Sequence, residues 1–138
     1  MQLRVRFAET DQMRVAHHAA YVVWLEAARV EWLRDRNLRY RDLEDQGVSL
    51  AVAGLTVTYR AAARFDDLLA IDVKVLEARS RRLRFAYVVD RLDDGGRVTL
   101  AVAETVHVPT DPAGRAVRLP GAWRTAIAAW TAAGAPGT

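Results

Sequence analysis

Cysteine is absent from the 138-residue chain. Disulfides, thiolate nucleophiles and cysteine-ligated metals are therefore excluded. Lysine is nearly absent too: Lys74 stands alone and the remaining basic residues are arginine. No stretch approaches the ~20 uninterrupted apolar residues of a membrane-spanning helix, so no membrane insertion is expected. The N-terminus, Met1-Gln2-Leu3-Arg4-Val5-Arg6, returns to charge before an apolar run can build. A secretory signal is not expected, and the cytoplasm is the expected compartment. The Gly-x-Ser-x-Gly elbow that exposes a serine nucleophile is missing as well.

What remains is an ordinary globular composition, with 51% apolar and 27% charged residues. The length fits a single domain over residues 1–138, with 121–138 forming a short C-terminal helix and tail. Such a domain buries roughly 70% of the surface its unfolded chain exposes. The net charge of +3 suits an anionic partner such as nucleic acid, an acidic carrier protein or the phosphates of a nucleotide. A general bias toward alanine and arginine accounts for it equally well. The arginines are scattered, and no basic helix or aromatic-interleaved basic strand is present, so no nucleic acid is expected.

Leu3 to Phe7 alternates apolar and basic residues and reads as a first strand. A polar segment follows, and then a long run from His18 to about Asn37. Between Tyr21 and Leu33 it holds no glycine or proline, and apolar residues cover most of the helical circumference. Such a helix is expected to lie buried in the middle of the fold. Tyr40 to Gln46 reads as a short helix or turn closed by Gly47. Beyond it the period becomes two: Leu55, Val57, Tyr59; Ile71, Val73, Val75; Leu83, Phe85, Tyr87, Val89; and Val98, Leu100, Val102, Val106, Val108 each form a row. Asp93-Asp94-Gly95-Gly96 predicts a hairpin, and Arg79-Ser80-Arg81-Arg82 a second tight connection. Pro109, Pro112 and Gly114 predict the end of the last strand, with a helix from Gly121 to Ala132 after it. Five strands, four of them meandering in succession, with one long helix against them predict an α+β hotdog fold: an antiparallel sheet wrapped around one central helix. One face of that sheet lacks cover within the chain, so self-association is expected.

The stretch that carries chemistry runs Glu9-Thr10-Asp11-Gln12-Met13-Arg14-Val15-Ala16-His17-His18-Ala19-Ala20-Tyr21. A carboxylate at Asp11 can serve as general base on water or attack a carbonyl directly. The free N–H groups at a helix start can hold a polarised carbonyl oxygen. The competing role is a helix cap worth about 1 kcal/mol and no chemistry. His17 and His18 are adjacent, point in different directions and lack a third ligand, so no metal site is read there. His107 reads as a packed or solvated residue.

Thr10-Asp11, His18, Tyr21 and Glu26-Ala27-Ala28-Arg29 resemble the 4-hydroxybenzoyl-CoA thioesterase family, and within it the Tol–Pal-associated acyl-CoA thioesterases. The likeness continues through Val57-Thr58-Tyr59 and Ala63-Arg64-Phe65-Asp66-Asp67, covering roughly residues 3 to 120. It implies an acyl-CoA thioesterase with Asp11 as nucleophile or base. The backbone N–H of His18 would face the thioester carbonyl, and the His18 side chain would help orient substrate or water. It also implies CoA along a subunit interface, a homodimer or homotetramer, and no metal or redox cofactor. Arg64, Arg81 and Arg82 are the candidates for CoA phosphates, with solvated turn residues the plain alternative. Two positions depart from the family: Arg14 stands where glycine is common, and Ala62 where proline is frequent. Two rival functions remain: a hotdog hydratase or dehydratase recruiting His18 and Glu26, and a non-catalytic module binding acyl-CoA or acyl carrier protein. Asp11 in the loop before the helix favours hydrolysis over both.

Overall fold

The computed structural model describes residues 1–131. In chain order it holds β1 (Gln2–Arg4), a 3₁₀ turn (Phe7–Glu9), α1 (His18–Arg34), α2 (Tyr40–Asp45), β2 (Ser49–Tyr59), β3 (Leu68–Arg79), β4 (Arg82–Asp93), β5 (Gly96–Thr110) and α3 (Gly121–Ala128). The strands form one five-stranded antiparallel sheet in the order β1-β3-β4-β5-β2. This is the expected α+β arrangement, with one correction to the topology. Only β3, β4 and β5 meander; β2 lies beyond β5 at the far edge, so the chain crosses the sheet between β2 and β3.

Helix α1 forms because its sequence has no breaker and carries four alanines. It ends at Arg34, earlier than the expected Asn37. The N–H of Asn37 bonds the Arg34 carbonyl, and that of Leu38 bonds the Leu33 carbonyl. Asn37 takes φ +62°, the left-handed conformation that closes many helices. Ala20, Tyr21, Trp24, Leu25, Ala28, Trp32 and Leu33 are buried, the three-and-four spacing of one face. The helix is therefore not buried all round: Val22 and Val23 remain 41% and 56% exposed. Each large buried side chain contributes roughly 1.5–3 kcal/mol.

The first strand is shorter than its alternation implies, because β3 supplies partners only for Gln2, Leu3 and Arg4. The last strand continues through Pro109, which pairs opposite Leu50, to Thr110. From Ala101 on, its faces are also the reverse of the expected ones, although Leu100 of the expected row is buried. Ala101, Ala103, Thr105 and His107 are buried, whereas Val102, Val106 and Val108 are only half-buried on the outer side with Glu104 exposed. The register decides this, setting Ala103 opposite Tyr87 and Thr105 opposite Phe85. Both hairpins form at the expected places, Asp93 pairing Gly96 and Arg79 pairing Arg82. Helix α3 ends at Ala128, before the expected Ala132, which lies outside the described residues with the rest of the tail. Trp123 and Ile127 anchor α3, and the Arg36 guanidinium sits between the rings of Trp32 and Trp130, 3.7 and 3.8 Å from their centres. No helix among the described residues is long and apolar enough to cross a membrane.

Candidate functional site

The segment before α1 folds back on itself. Thr10 pairs with Ala16, the N–H of Asp11 bonds the Val15 carbonyl at 3.0 Å, and that of His17 bonds the Glu9 carbonyl at 2.9 Å. Asp11 sits near the tip of this loop. Its Oδ1 accepts the N–H of Met13 at 2.8 Å and of Val15 at 3.2 Å. No hydrogen bond among the described residues reaches its Oδ2. Asp11 is thus not the cap of α1: that position belongs to His17, which makes no side-chain capping bond. The carboxylate closes its own turn instead.

Arg14 occupies the remaining corner with φ +62°. Left-handed backbone is costly for any residue with a Cβ, which gives a conformational reason for glycine at this place. The N–H of Phe65 bonds the Arg14 carbonyl at 2.9 Å, and Val15 pairs with Arg64. The loop is thereby tied to the segment between β2 and β3. Its other end is held by Glu9, whose carboxylate accepts the Trp24 indole N–H at 2.8 Å and the Arg6 N–H at 2.8 Å. Burial alone would raise this carboxyl; the donors from Arg6 and Trp24 outweigh it and hold the group below its ordinary value.

His18 is the first residue of α1, exposed, with no partner for its N–H among the described residues. Beside it opens a cleft of about 360 Å³ lined by Val15, Ala16, His18, Tyr21, Tyr59 and Arg60, with Ala61 and Ala62. The Tyr59 hydroxyl donates to the His18 carbonyl at 3.1 Å, and its ring packs edge-on against Tyr21, centroids 4.9 Å apart. Asp11 does not itself line this cleft in the single chain; Val15, across the loop from it, does.

Of the three arginines expected to meet phosphates, only Arg64 lies at this end. Its backbone N–H is held by the Asp67 carboxylate at 2.9 Å, and its side chain is exposed. Arg81 lies in the turn between β3 and β4, and Arg82 pairs loosely with Glu77 at 3.8 Å. Through the register of β4 and β5 they stand at the opposite end of the sheet from Tyr59, roughly 20 Å away along the strands. One chain does not bring them to Asp11.

His107 is buried and packed. Its Nε2 meets the Thr105 hydroxyl at 2.8 Å, which meets the Tyr87 hydroxyl at 2.6 Å, which accepts from Arg29 at 3.2 Å. Burial, aided by the charge of Arg29 and only partly opposed by the Leu50 backbone, pushes its pKa down to about 4. No group of three or more metal-ligating side chains occurs among the described residues. Nothing in the sequence marks Tyr59 and Arg60 as cleft residues, since each reads there only as one step of a strand.

The thioesterase-like superfamily model matches residues 5–131. The acyl-CoA thioester hydrolase YbgC of Escherichia coli is 34% identical over 110 residues, covering 80% of each chain. Among solved structures, a hypothetical protein from Thermus thermophilus superposes with a TM-score of 0.86 at 40% identity, over 94% of this chain and 97% of that one. A 4-hydroxybenzoyl-CoA thioesterase variant in complex with 4-hydroxybenzoyl-CoA gives a TM-score of 0.83 at 22% identity, over 92% of this chain and 96% of that one. At that identity the last likeness bears on the fold alone.

Proposed function

The chain belongs to the thioesterase-like superfamily, and on that footing we propose that it hydrolyses acyl-CoA thioesters to a carboxylic acid and free CoA. The observation that carries this reading is the pairing of an anchored carboxylate with a helix start that no side chain caps. Asp11 is fixed through Oδ1 while Oδ2 is free to act, and the loop that holds it runs directly into the unpartnered N–H of His18. In the proposed reaction the carboxylate attacks the thioester carbonyl or takes a proton from the attacking water. The His18 N–H holds the developing oxyanion, aided by the partial positive charge of the helix terminus. The C–S bond then breaks, the sulfur leaves and is protonated to the thiol, and water supplies the hydroxyl of the acid. The His18 ring orients substrate or water.

The working unit we propose is a homodimer or homotetramer. Among the described residues strand β2 has a neighbour on one side only; Val52 and Leu55 on it are 56% and 42% exposed, and Val22 and Val23 on α1 are exposed as well. A long bare edge with apolar flanks calls for a partner. On the outer face a second apolar region around Ala86, Val88 and Val102 borders a shallow hollow of about 310 Å³. In this arrangement Arg64 meets CoA phosphates from the Asp11 end, while Arg81 and Arg82 meet them only across a subunit boundary.

The test is direct. Purified protein is offered a panel of aliphatic and aryl acyl-CoAs, and free thiol is followed with a thiol-reactive dye. Enzyme-dependent release from at least one class is expected; no release from any refutes the reading.

A further inference from the structure

We infer that Arg60 is a substrate-binding residue whose guanidinium holds an oxyanionic group of the substrate in the cleft at the start of α1. The inference rests on the thioesterase reading above and deepens it.

Several arginines here have acidic partners: Arg6 pairs with Glu9, Arg39 with Asp42, Arg84 with Glu77 and Glu104, Arg97 with Asp72 and Asp90. The side chain of Arg60 has no hydrogen-bond or ionic partner among the described residues, and neither have those of Arg14 and Arg64. Arg60 and Arg64 lie on the connection between β2 and β3, and Arg14 on the loop before α1 that is bonded to it. Val15 pairs with Arg64, the Phe65 N–H bonds the Arg14 carbonyl, and the Ala16 N–H bonds the Ala63 carbonyl at 2.8 Å. Asp67 accepts the Arg64 backbone N–H and Oδ1 of Asp11 the N–H groups of its own turn, and no ion pair joins either carboxylate to these three guanidinium groups among the described residues. No carboxylate lines the cleft, and Arg60 is the one arginine that does. The terminus of α1 adds further positive potential. An exposed guanidinium on a cleft wall that no carboxylate lines is free to make charge-assisted hydrogen bonds to an oxyanion seated there.

Two parts of a CoA thioester offer such a group: a carboxylate at the far end of the acyl chain, or a phosphate of CoA. Because Arg60 shares its cleft with His18, and many bonds of the pantetheine arm separate the phosphates from sulfur, the acyl carboxylate is the nearer fit. Three hydrolysis-inert thioethers separate the sources: carboxybutyl-CoA, butyl-CoA, and carboxybutyl-pantetheine, which lacks the CoA phosphates. Their dissociation constants are measured calorimetrically with wild type, Arg60→Gln and Arg60→Lys. Arg60 is exposed and unpaired, so Arg60→Gln is expected to keep the wild-type circular dichroism and melting temperature.

The expected result is at least about tenfold weaker binding to Arg60→Gln, with partial recovery in Arg60→Lys. Loss on both carboxybutyl analogues but not butyl-CoA assigns the carboxylate. Loss on both CoA analogues but not the pantetheine assigns the phosphate. Binding of all three by Arg60→Gln within twofold of wild type overturns the inference, as does failure of wild type to bind any of them. Arg60-dependent binding without thiol release from the matching thioesters overturns the hydrolytic reading and leaves this inference standing.

Discussion

The turn that Asp11 closes makes its two roles separable. In Asp11→Asn the amide oxygen can still accept the Met13 and Val15 N–H groups that Oδ1 accepts now, while the charge is gone. In Asp11→Ala both bonds are lost. Each is an exposed bond of the kind worth about 0.5–1.5 kcal/mol. At the lower end of that range the pair amounts to about 1 kcal/mol, or a melting temperature lower by about 3 °C for a chain of this size. A positioned base or nucleophile contributes more, about 10²–10⁴ in rate, or roughly 3–5.5 kcal/mol of barrier.

Asp11→Asn is therefore expected to melt within a degree or so of wild type yet lose at least about 100-fold in kcat. Asp11→Ala is expected to lose as much activity and about 3 °C besides. Thermal unfolding by circular dichroism and thiol release from the best acyl-CoA read the two quantities on the same samples. An Asn variant that keeps kcat within about threefold refutes the chemical role of the carboxylate. If Asn instead melts as low as Ala, the hydrogen-bonded turn is the wrong account of this loop.

Arg14→Gly removes left-handed strain at φ +62° and is expected to raise stability by about 0.5–1 kcal/mol in denaturant unfolding; a decrease means the arginine side chain makes an interaction of its own. His107, held near a pKa of about 4 against an ordinary 6.5, binds its proton more readily in the unfolded chain. Its stabilising contribution is thus complete above about pH 6.5 and is lost as pH falls toward 4, by at most about 3 kcal/mol. The difference in unfolding free energy between pH 7 and pH 5 is expected to shrink in His107→Gln, and an unchanged difference refutes the assignment. Val52→Glu places a charge on the bare edge strand and is expected to shift sedimentation toward monomer with a parallel loss of activity; an unaltered sedimentation coefficient removes that edge from the interface.

What the sequence discloses is mostly local. Helix α1 is legible because seventeen residues without a breaker need no distant contact to be helical, and both hairpins because their turns are encoded in four residues each. The β5 faces are not legible. Its Val102, Val106 and Val108 outrank Ala101, Ala103, Thr105 and His107 in hydrophobicity, so periodicity selects the wrong side. The inward row is fixed instead by register with β4 and by the Tyr87 hydroxyl, which finds Thr105 at 2.6 Å. The place of β2 at the far edge is likewise nonlocal. At the site, the motif from Thr10 to Tyr21 singles out Asp11, but not that the carboxylate ties down its own loop. Arg60 is indistinguishable among so many arginines until the fold places it on the wall of the cleft beside His18.

The loop is better regarded as a separate part clamped between two supports than as the lead-in to a helix. Glu9 pins it to α1 through Trp24, and Arg14 and Ala16 pin it through their backbones to the segment between β2 and β3. Asp11 sits between these fastenings, with one oxygen spent on holding the turn. Asp11 is exposed, yet a carboxylate fixed in this way has few rotamers open to it, and in the proposed reaction the remaining oxygen keeps one direction at little further entropic cost. The same clamps explain why a strained Arg14 is tolerated: the bonds on either side of it determine its backbone whatever its side chain prefers. The turn that Asp11 closes is therefore held whether glycine or arginine stands at position 14.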